Sequence, residues 1–179
     1  RTVDTHDAAG NVLTRAILDT STGEPRSWTY TYNGKGQILT ADGPRIDVSD
    51  VTTYTYHNCS TGYQCGQVET ITNALGHVTT YNTYNAHSQP LTITDPNGVV
   101  TTLTYDLRQR LTSRTVGAEV TTFDYWPTGL LKKATMPDGS YLEYTYDAAH
   151  RLTDIDDSEG NRIHYTLDAM GNRTSEQVF

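Results

Sequence analysis

The feature that most constrains this chain is that it copies itself. Residues 139–160 read GSYLEYTYDAAHRLTDIDDSEG. Leu142 to Tyr146 alternate apolar and polar side chains, the period of a half-buried strand. Asp147 to His150 form a turn-compatible cluster, and a second run from Arg151 to Ile155 leads to an Asp-Asp-Ser-Glu-Gly turn. Alternation resumes at Ile163, Tyr165 and Leu167. Tyr32-Asn33, Tyr56-His57, Tyr84-Asn85, Tyr105-Asp106, Tyr125-Trp126 and Tyr146-Asp147 mark six copies of the unit. His6-Asp7 and Leu167-Asp168 mark two weaker ones at the ends. The steps from Tyr84 onward are all 20 or 21 residues, and the longer early steps indicate insertions. A fixed period of this length settles the fold class before any single motif is considered.

The unit also has a recognisable wording. It reads YDAAHRL at 146–152, YDLRQRL at 105–111 and YNGKGQIL at 32–39, with second turns DPNG at 95–98 and MPDG at 136–139. This resembles the YD (RHS) repeat of Rhs polymorphic toxins, insecticidal toxin-complex shell proteins and teneurins, over essentially the whole chain. The resemblance implies an array wound into a hollow β-shell that encloses a C-terminal toxic polypeptide. It also implies a secreted or cell-delivered bacterial protein.

The residues independently demand an all-β fold. Thirteen Tyr stand against two Phe and two Met, and with the many Thr they favour pleated sheet. No window has a period of 3.6, so helix is expected to be nearly absent. Each hairpin unit is unable to bury its own apolar face, so neighbours must add edge to edge. The expectation is a curved, spiralling antiparallel β-ribbon of about sixteen strands, an open-ended fragment of a larger β-shell, with end strands prone to self-association. Residues 1–179 read as a single array of about eight repeats. It is least regular over 1–50, carries a Cys-containing hairpin insertion at about 57–66, and is most regular over 99–179. The repeat already runs at Arg1 and still runs at Phe179, which reads as a piece of a longer array.

Within the unit, Tyr32, Tyr56, Tyr84, Tyr105, Tyr125 and Tyr146 are expected to stack across strands. Asp106 and Asp147 are expected to cap the turn after them. Gly98, Gly139 and Gly160 are expected to supply the backbone freedom of the second turn. Thr22-Gly23-Glu24, with Ser21 and Pro25, reads as another turn, and Arg45 to Asp50 as a long loop.

Chemistry is sparse. Thirteen basic against twenty-one acidic residues give a formal charge of −8, which argues against nucleic acid or an anionic membrane as partner. No run approaches the ~18 apolar residues of a spanning helix. Cys59 and Cys65 read as a disulfide stapling an extended hairpin, the alternatives being two free thiols or a zinc site completed by His57 and His77. Asn58-Cys59-Ser60 and Asn172-Arg173-Thr174 match the glycosylation sequon and read as accidents of a Ser/Thr-rich chain. His150 beside Asp147, and Asp154, Asp156, Asp157 and Glu159, are the acid–base or calcium candidates. They read as turn residues facing water.

No nucleophile elbow, phosphate loop or His-Glu-x-x-His occurs, nor anything like the self-cleaving core segment that follows such arrays. No catalytic, cofactor or metal residue is therefore assigned, and the chain is read as a non-enzyme with no cofactor. Its expected partners are the rest of its own array and the enclosed toxin. The competing reading is an extracellular module that binds carbohydrate or protein through the Cys59–Cys65 loop or an aromatic face. That face would carry Trp28, Tyr30, Tyr32, Tyr54, Tyr56, Tyr144 and Tyr146.

Overall fold

The computed structural model describes residues 1–19, 21, 25–59 and 62–179. Among them it contains sixteen strands and no helix. The chain packs as two compact units, Arg1–Val100 and Thr101–Phe179.

In the first unit the strands are β1 (Thr2–His6), β2 (Val12–Leu18), β3 (Pro25–Tyr32), β4 (Ile38–Asp42), β5 (Thr52–Tyr56), β6 (Val68–Thr72), β7 (Val78–Tyr84) and β8 (Pro90–Thr94). Each pairs antiparallel with the next. In the second unit β9 (Val100–Tyr105), β10 (Leu111–Val116), β11 (Glu119–Tyr125), β12 (Leu131–Thr135), β13 (Tyr141–Tyr146), β14 (Leu152–Asp157), β15 (Arg162–Leu167) and β16 (Arg173–Val178) do the same. This meander is what short apolar-alternating runs joined by tight turns produce. The expected turn over 22–24 lies outside the described residues, as does part of the 57–66 insertion.

Two kinds of strand junction alternate. Where an odd strand turns into the following even strand, the register slips by one residue at the aromatic position, as at Thr31/Tyr32, Thr55/Tyr56 and Thr145/Tyr146. The junctions through the second turn run without a slip. Both turns use the same bonds. The first turn residue donates its backbone N–H to the carbonyl four residues on, as Asp147 does to Arg151 and Asp95 to Val99. The fourth turn residue donates back to the first, as His150 does to Asp147 and Gly98 to Asp95. That fourth residue must adopt positive φ. Gly98, Gly139 and Gly160 have φ of 82°, 88° and 92°, while His150 is forced to 63° where Gly36 and Gly129 stand in other copies.

Strand alternation separates two faces. In β3, Trp28, Tyr30 and Tyr32 are half-buried while Thr29 and Thr31 are exposed, and β5 and β9 repeat the pattern. Only Tyr84 and Ala134 are buried among the described residues. A chain long enough for a core has built a single layer instead.

One difference from the sequence reading lies in β14. The strand runs on through Asp156 and Asp157, where a turn is expected from composition. Asp156 is held in the ladder opposite Glu143 and Arg162, and its Oδ1 accepts from Arg162 Nε at 2.6 Å.

His150→Gly should raise stability by about 1 kcal/mol, because glycine carries no penalty at positive φ. A thermal melt should show a rise of roughly 2–4 °C. A fall would mean that the imidazole contributes more than the backbone strain costs.

Candidate functional site: the tyrosine–aspartate turn

The feature that recurs is the turn after each odd strand, and its geometry begins with the Asp or Asn side chain. Asp147 Oδ1 accepts from the backbone N–H of Ala149 at 2.9 Å and of Arg151 at 3.0 Å. Asp106 does the same for Arg108 and Arg110 at 2.8 and 3.0 Å, and Asn33 for Lys35 and Gln37. One side-chain oxygen thus holds two turn amides, the Asx arrangement that makes these residues turn formers. The second carboxylate oxygen takes the side chain four residues on. Asp106 Oδ2 accepts from Arg110 Nε at 2.8 Å, and Asp147 Oδ2 from Arg151 Nε at 2.7 Å. That hydrogen bond is the main reason the carboxyls of Asp106 and Asp147 lie below their ordinary range, with the turn amides adding to it.

The aromatic residue answers a problem that the register slip creates. The register slip leaves the carbonyl of the first residue of the even strand without a ladder partner on the next odd strand. In β6, for example, pairing to β7 begins at Thr70, two residues after Val68. The next tyrosine supplies the missing donor. Tyr84 Oη donates to the Val68 carbonyl at 2.7 Å, Tyr32 to Val12 at 2.7 Å, Tyr56 to Ile38 at 2.7 Å and Tyr125 to Leu111 at 2.8 Å. Backbone polar groups removed from water need such partners.

Burial lifts the phenols of Tyr56, Tyr84, Tyr105, Tyr125 and Tyr146, and pushes Tyr84 up to about 12. At Tyr32, Tyr56, Tyr84 and Tyr125 the contact made across strands is this hydroxyl-to-carbonyl latch. Successive copies stand two strands apart, roughly 9–10 Å, too far for ring contact. The ring pairs among the described residues are His57–Tyr84 and Tyr81–Tyr84.

Two turns lack Asp or Asn and solve the geometry alike. Trp126 Nε1 donates to the Tyr144 carbonyl at 3.1 Å. His57 Nε2 lies 2.7 Å from the Tyr81 carbonyl; since a carbonyl only accepts, Nε2 carries the proton. Both rings reach across to the next odd strand.

A hydroxyl pair that sequence reasoning missed sits on the opposite face, one residue before the aromatic. Thr5–Thr14, Thr31–Thr40, Thr83–Thr92 and Thr104–Ser113 meet at 2.6 Å, and Thr55–Thr70 at 2.7 Å. The signal was the Thr-Tyr dipeptide preceding most turns.

Cys59 and Cys65 are joined by a disulfide, so the zinc reading fails: neither thiolate is available, and His57 is committed to a carbonyl. The calcium and acid–base readings lose their ligands similarly. Asp154 Oδ1 pairs with His164 Nδ1 at 2.8 Å, Asp156 pairs with Arg162, and Asp157 Oδ1 holds the amides of Glu159 and Asn161. Burial alone would raise the Asp154 carboxyl, but hydrogen bonds from His164 and Thr153 outweigh it and lower it. No cluster of His, Cys, Asp and Glu able to hold a metal occurs among the described residues.

Removing the Tyr84 hydroxyl with Tyr84→Phe should cost about 1–3 kcal/mol in chemical denaturation, by leaving the Val68 carbonyl unpaired. Because its folded pKa exceeds the unfolded 10.0, the contribution of Tyr84 is complete below pH 10. It is lost as pH rises towards 12. Ultraviolet titration should find one late-ionising phenol that is absent from the variant.

The turn carboxylates act in the opposite direction. Asp7, Asp106, Asp147, Asp157 and Asp168 all lie below 3.8, chiefly through the side chain four residues on. Their contribution is present above that value and disappears as pH falls through the folded values. Melting temperature should therefore fall below that pH, and more gently in Asp106→Asn. An unchanged acid limb in that variant would remove Asp106 from the account.

Comparison with known proteins agrees with this geometry. Among solved structures, one of a TcdB2-TccC3-Cdc42 assembly aligns over 98% of this chain and 11% of its own, at 16% identity and a TM-score of 0.72. One of TcdB2-TccC3 without its hypervariable C-terminal region aligns over 99% and 11%, at 18% identity and a TM-score of 0.61. At such identities the likeness is one of fold, and this chain spans about a tenth of the proteins it matches. No curated protein matches the chain in sequence. The family model of the teneurin YD-shell matches residues 59–175. That is well over half of the chain, and it contains four of the six strongest Tyr-Asp-type turns. The chain belongs to the teneurin YD-shell family and is a segment of such a shell.

Proposed function

We propose that this segment is part of the wall of a closed β-shell that isolates a C-terminal toxic polypeptide until delivery. The longer protein would be a secreted bacterial toxin of the Rhs or toxin-complex kind. The observation that carries the proposal is the single-layer build: the tyrosine face stays half-buried, and among the described residues only two are buried. A ribbon so incompletely covered is suited to life inside a larger sheet whose remaining repeats and contents cover it. The match to assemblies named TcdB2-TccC3 supports the same reading at the level of fold.

The wall does no chemistry in this account. It excludes proteases and keeps an unfolded or reactive polypeptide from solvent. The tyrosine latches fit that role, since each ties an even strand to the next odd one at the end where the ladder opens. The carbohydrate-platform reading is weakened by the same bonds: the hydroxyls of Tyr32 and Tyr56 are spent on carbonyls.

The test uses the full protein that carries this segment. Limited proteolysis followed by mass spectrometry should leave its C-terminal region intact while the shell is folded. That region should become cleavable once the shell is opened by denaturant. A C-terminal region digested at the same rate in both states would overturn the encapsulation reading.

A further inference from the structure

Several turns are also tied to one another sideways, and at Trp126 the residue that makes the tie is replaced. In three copies the residue four after the Asx position reaches the next turn. Arg110 bonds its own Asp106, lays its guanidinium over Tyr125 at 4.4 Å and directs Nη1 to the Trp126 carbonyl at 3.5 Å. Arg151 bonds Asp147 and donates Nη1 to the Asp168 carbonyl at 2.9 Å. Gln37 donates Nε2 to the Gly66 carbonyl at 2.7 Å. In the turn opened by Trp126 the corresponding residue is Leu130, which has no donor. Its counterpart targets, by the geometry of Arg110, would be the Tyr146 ring and the Asp147 carbonyl. Among the described residues no side chain donates to that carbonyl; it accepts only the His150 amide.

A groove of about 310 Å³ opens at this place, lined by Trp126, Leu130, Tyr146, Asp147 and His150 among others. The lining contains no lysine or arginine, and its one carboxylate, Asp147, is already paired with Arg151, so the ring and the carbonyl are what the groove offers. Every element that holds Arg110 on its neighbour recurs here except the arginine and its own Asp. An aromatic ring is present, a turn carbonyl has a lone pair to offer, and Trp126 adds a second aromatic wall. Guanidinium is the group that both stacks on aromatic faces and donates in a planar fork.

The geometry points to this groove as a binding site for an arginine side chain presented by a polypeptide partner, which completes the lateral tie that Leu130 leaves open. The inference stands on the repeat geometry and does not require the encapsulation reading. The guanidinium lies over Tyr146 and donates to the Asp147 carbonyl, as Arg110 does with Tyr125 and Trp126. Lysine would serve less well, since a point charge matches neither the flat ring nor the carbonyl direction simultaneously.

The test uses the chain with Trp28→Phe, so that Trp126 is the one remaining tryptophan. N-acetylarginine amide should shift Trp126 emission saturably. The citrulline analogue, of the same shape but uncharged, should bind about tenfold more weakly. Leu130→Arg should fill the groove from within and abolish the response while keeping or raising the melting temperature. Leu130→Gln, which copies the amide that Gln37 offers its neighbour, should weaken the response and guards against a misfolded arginine variant. Equal responses to the two probes, no saturable response, or binding undiminished in both Leu130 variants would overturn the assignment.

Discussion

The rest of the structure depends on one local bond, the acceptance of two turn amides by a single Asp or Asn oxygen. Holding the amides two and four residues ahead draws the chain into a four-residue turn whose last member sits at positive φ. Beside the turn that follows an odd strand the even strand carries one residue more than its partner, so the register slips at the aromatic position. It does so beside the His57 and Trp126 turns as well as beside Asx turns, whereas second turns with the same bonds run without a slip. The slip leaves the first carbonyl of the even strand off the ladder, and the next tyrosine hydroxyl satisfies it. The Tyr-Asp pair is thus one device in two halves. Asp holds the turn of one copy, and Tyr from the following copy satisfies the carbonyl that the slip beside that turn leaves open. Because donor and acceptor belong to different copies, no unit can complete itself, which is the physical content of the repeat.

This explains how a sheet with so little buried surface holds together. Hydrophobic burial contributes little when, among the described residues, only Tyr84 and Ala134 are covered. The work falls on cross-strand pairs. On the face away from the tyrosines, the second unit begins with the hydroxyl pair Thr104–Ser113 and continues with charges. Asp124, Lys133, Glu143, Asp156 and Arg162 stand opposite one another across β11 to β15. Glu143 faces Asp156 in that row, a like-charge contact relieved by Lys132 at 4.0 Å from Glu143 and by Arg162 on Asp156. The pair Lys132-Lys133 is therefore internal to the sheet's electrostatics: Lys132 also lies over Trp126 and Lys133 over Tyr141.

The strands, their order and the family were legible because each depends on a pattern repeated many times. Leu142-Glu143-Tyr144-Thr145-Tyr146 can be read as a strand from any one copy, and the other copies remove the doubt. What escaped was whatever depends on geometry between copies. Nothing in the residue Tyr84 says that its hydroxyl ends on Val68, because that bond exists only once the register has slipped. Periodic aromatics suggest ring contact between copies, but the period places successive copies two strands apart. Asp156 reads as a turn residue in sequence because Asp-Asp-Ser-Glu-Gly has turn composition throughout. Its strand character comes from Arg162 and Glu143 on either side, which no local window contains. The disulfide loop was visible as two neighbouring cysteines, whereas its attachment through Gln37 to Gly66 and Gln67 to Ser88 was not.

The departures from the repeat are the most informative positions, because they separate what the turn requires from what it usually contains. His57 and Trp126 both occupy the Asx site without an oxygen to offer, and both turns keep the backbone bonds that define them. What changes is the side-chain connection. An Asx residue bonds within its own turn and leaves the residue four further on to reach the neighbour. An aromatic N–H reaches that neighbour directly, at Tyr81 or Tyr144. In the His57 turn the later residue is Gln67, beyond the disulfide loop, and it still reaches the next turn at Ser88. In the Trp126 turn it has become leucine, and space has opened beside it. Links from one turn to the next can be made by different residues, and a gap opens where the later residue, Leu130, has no donor.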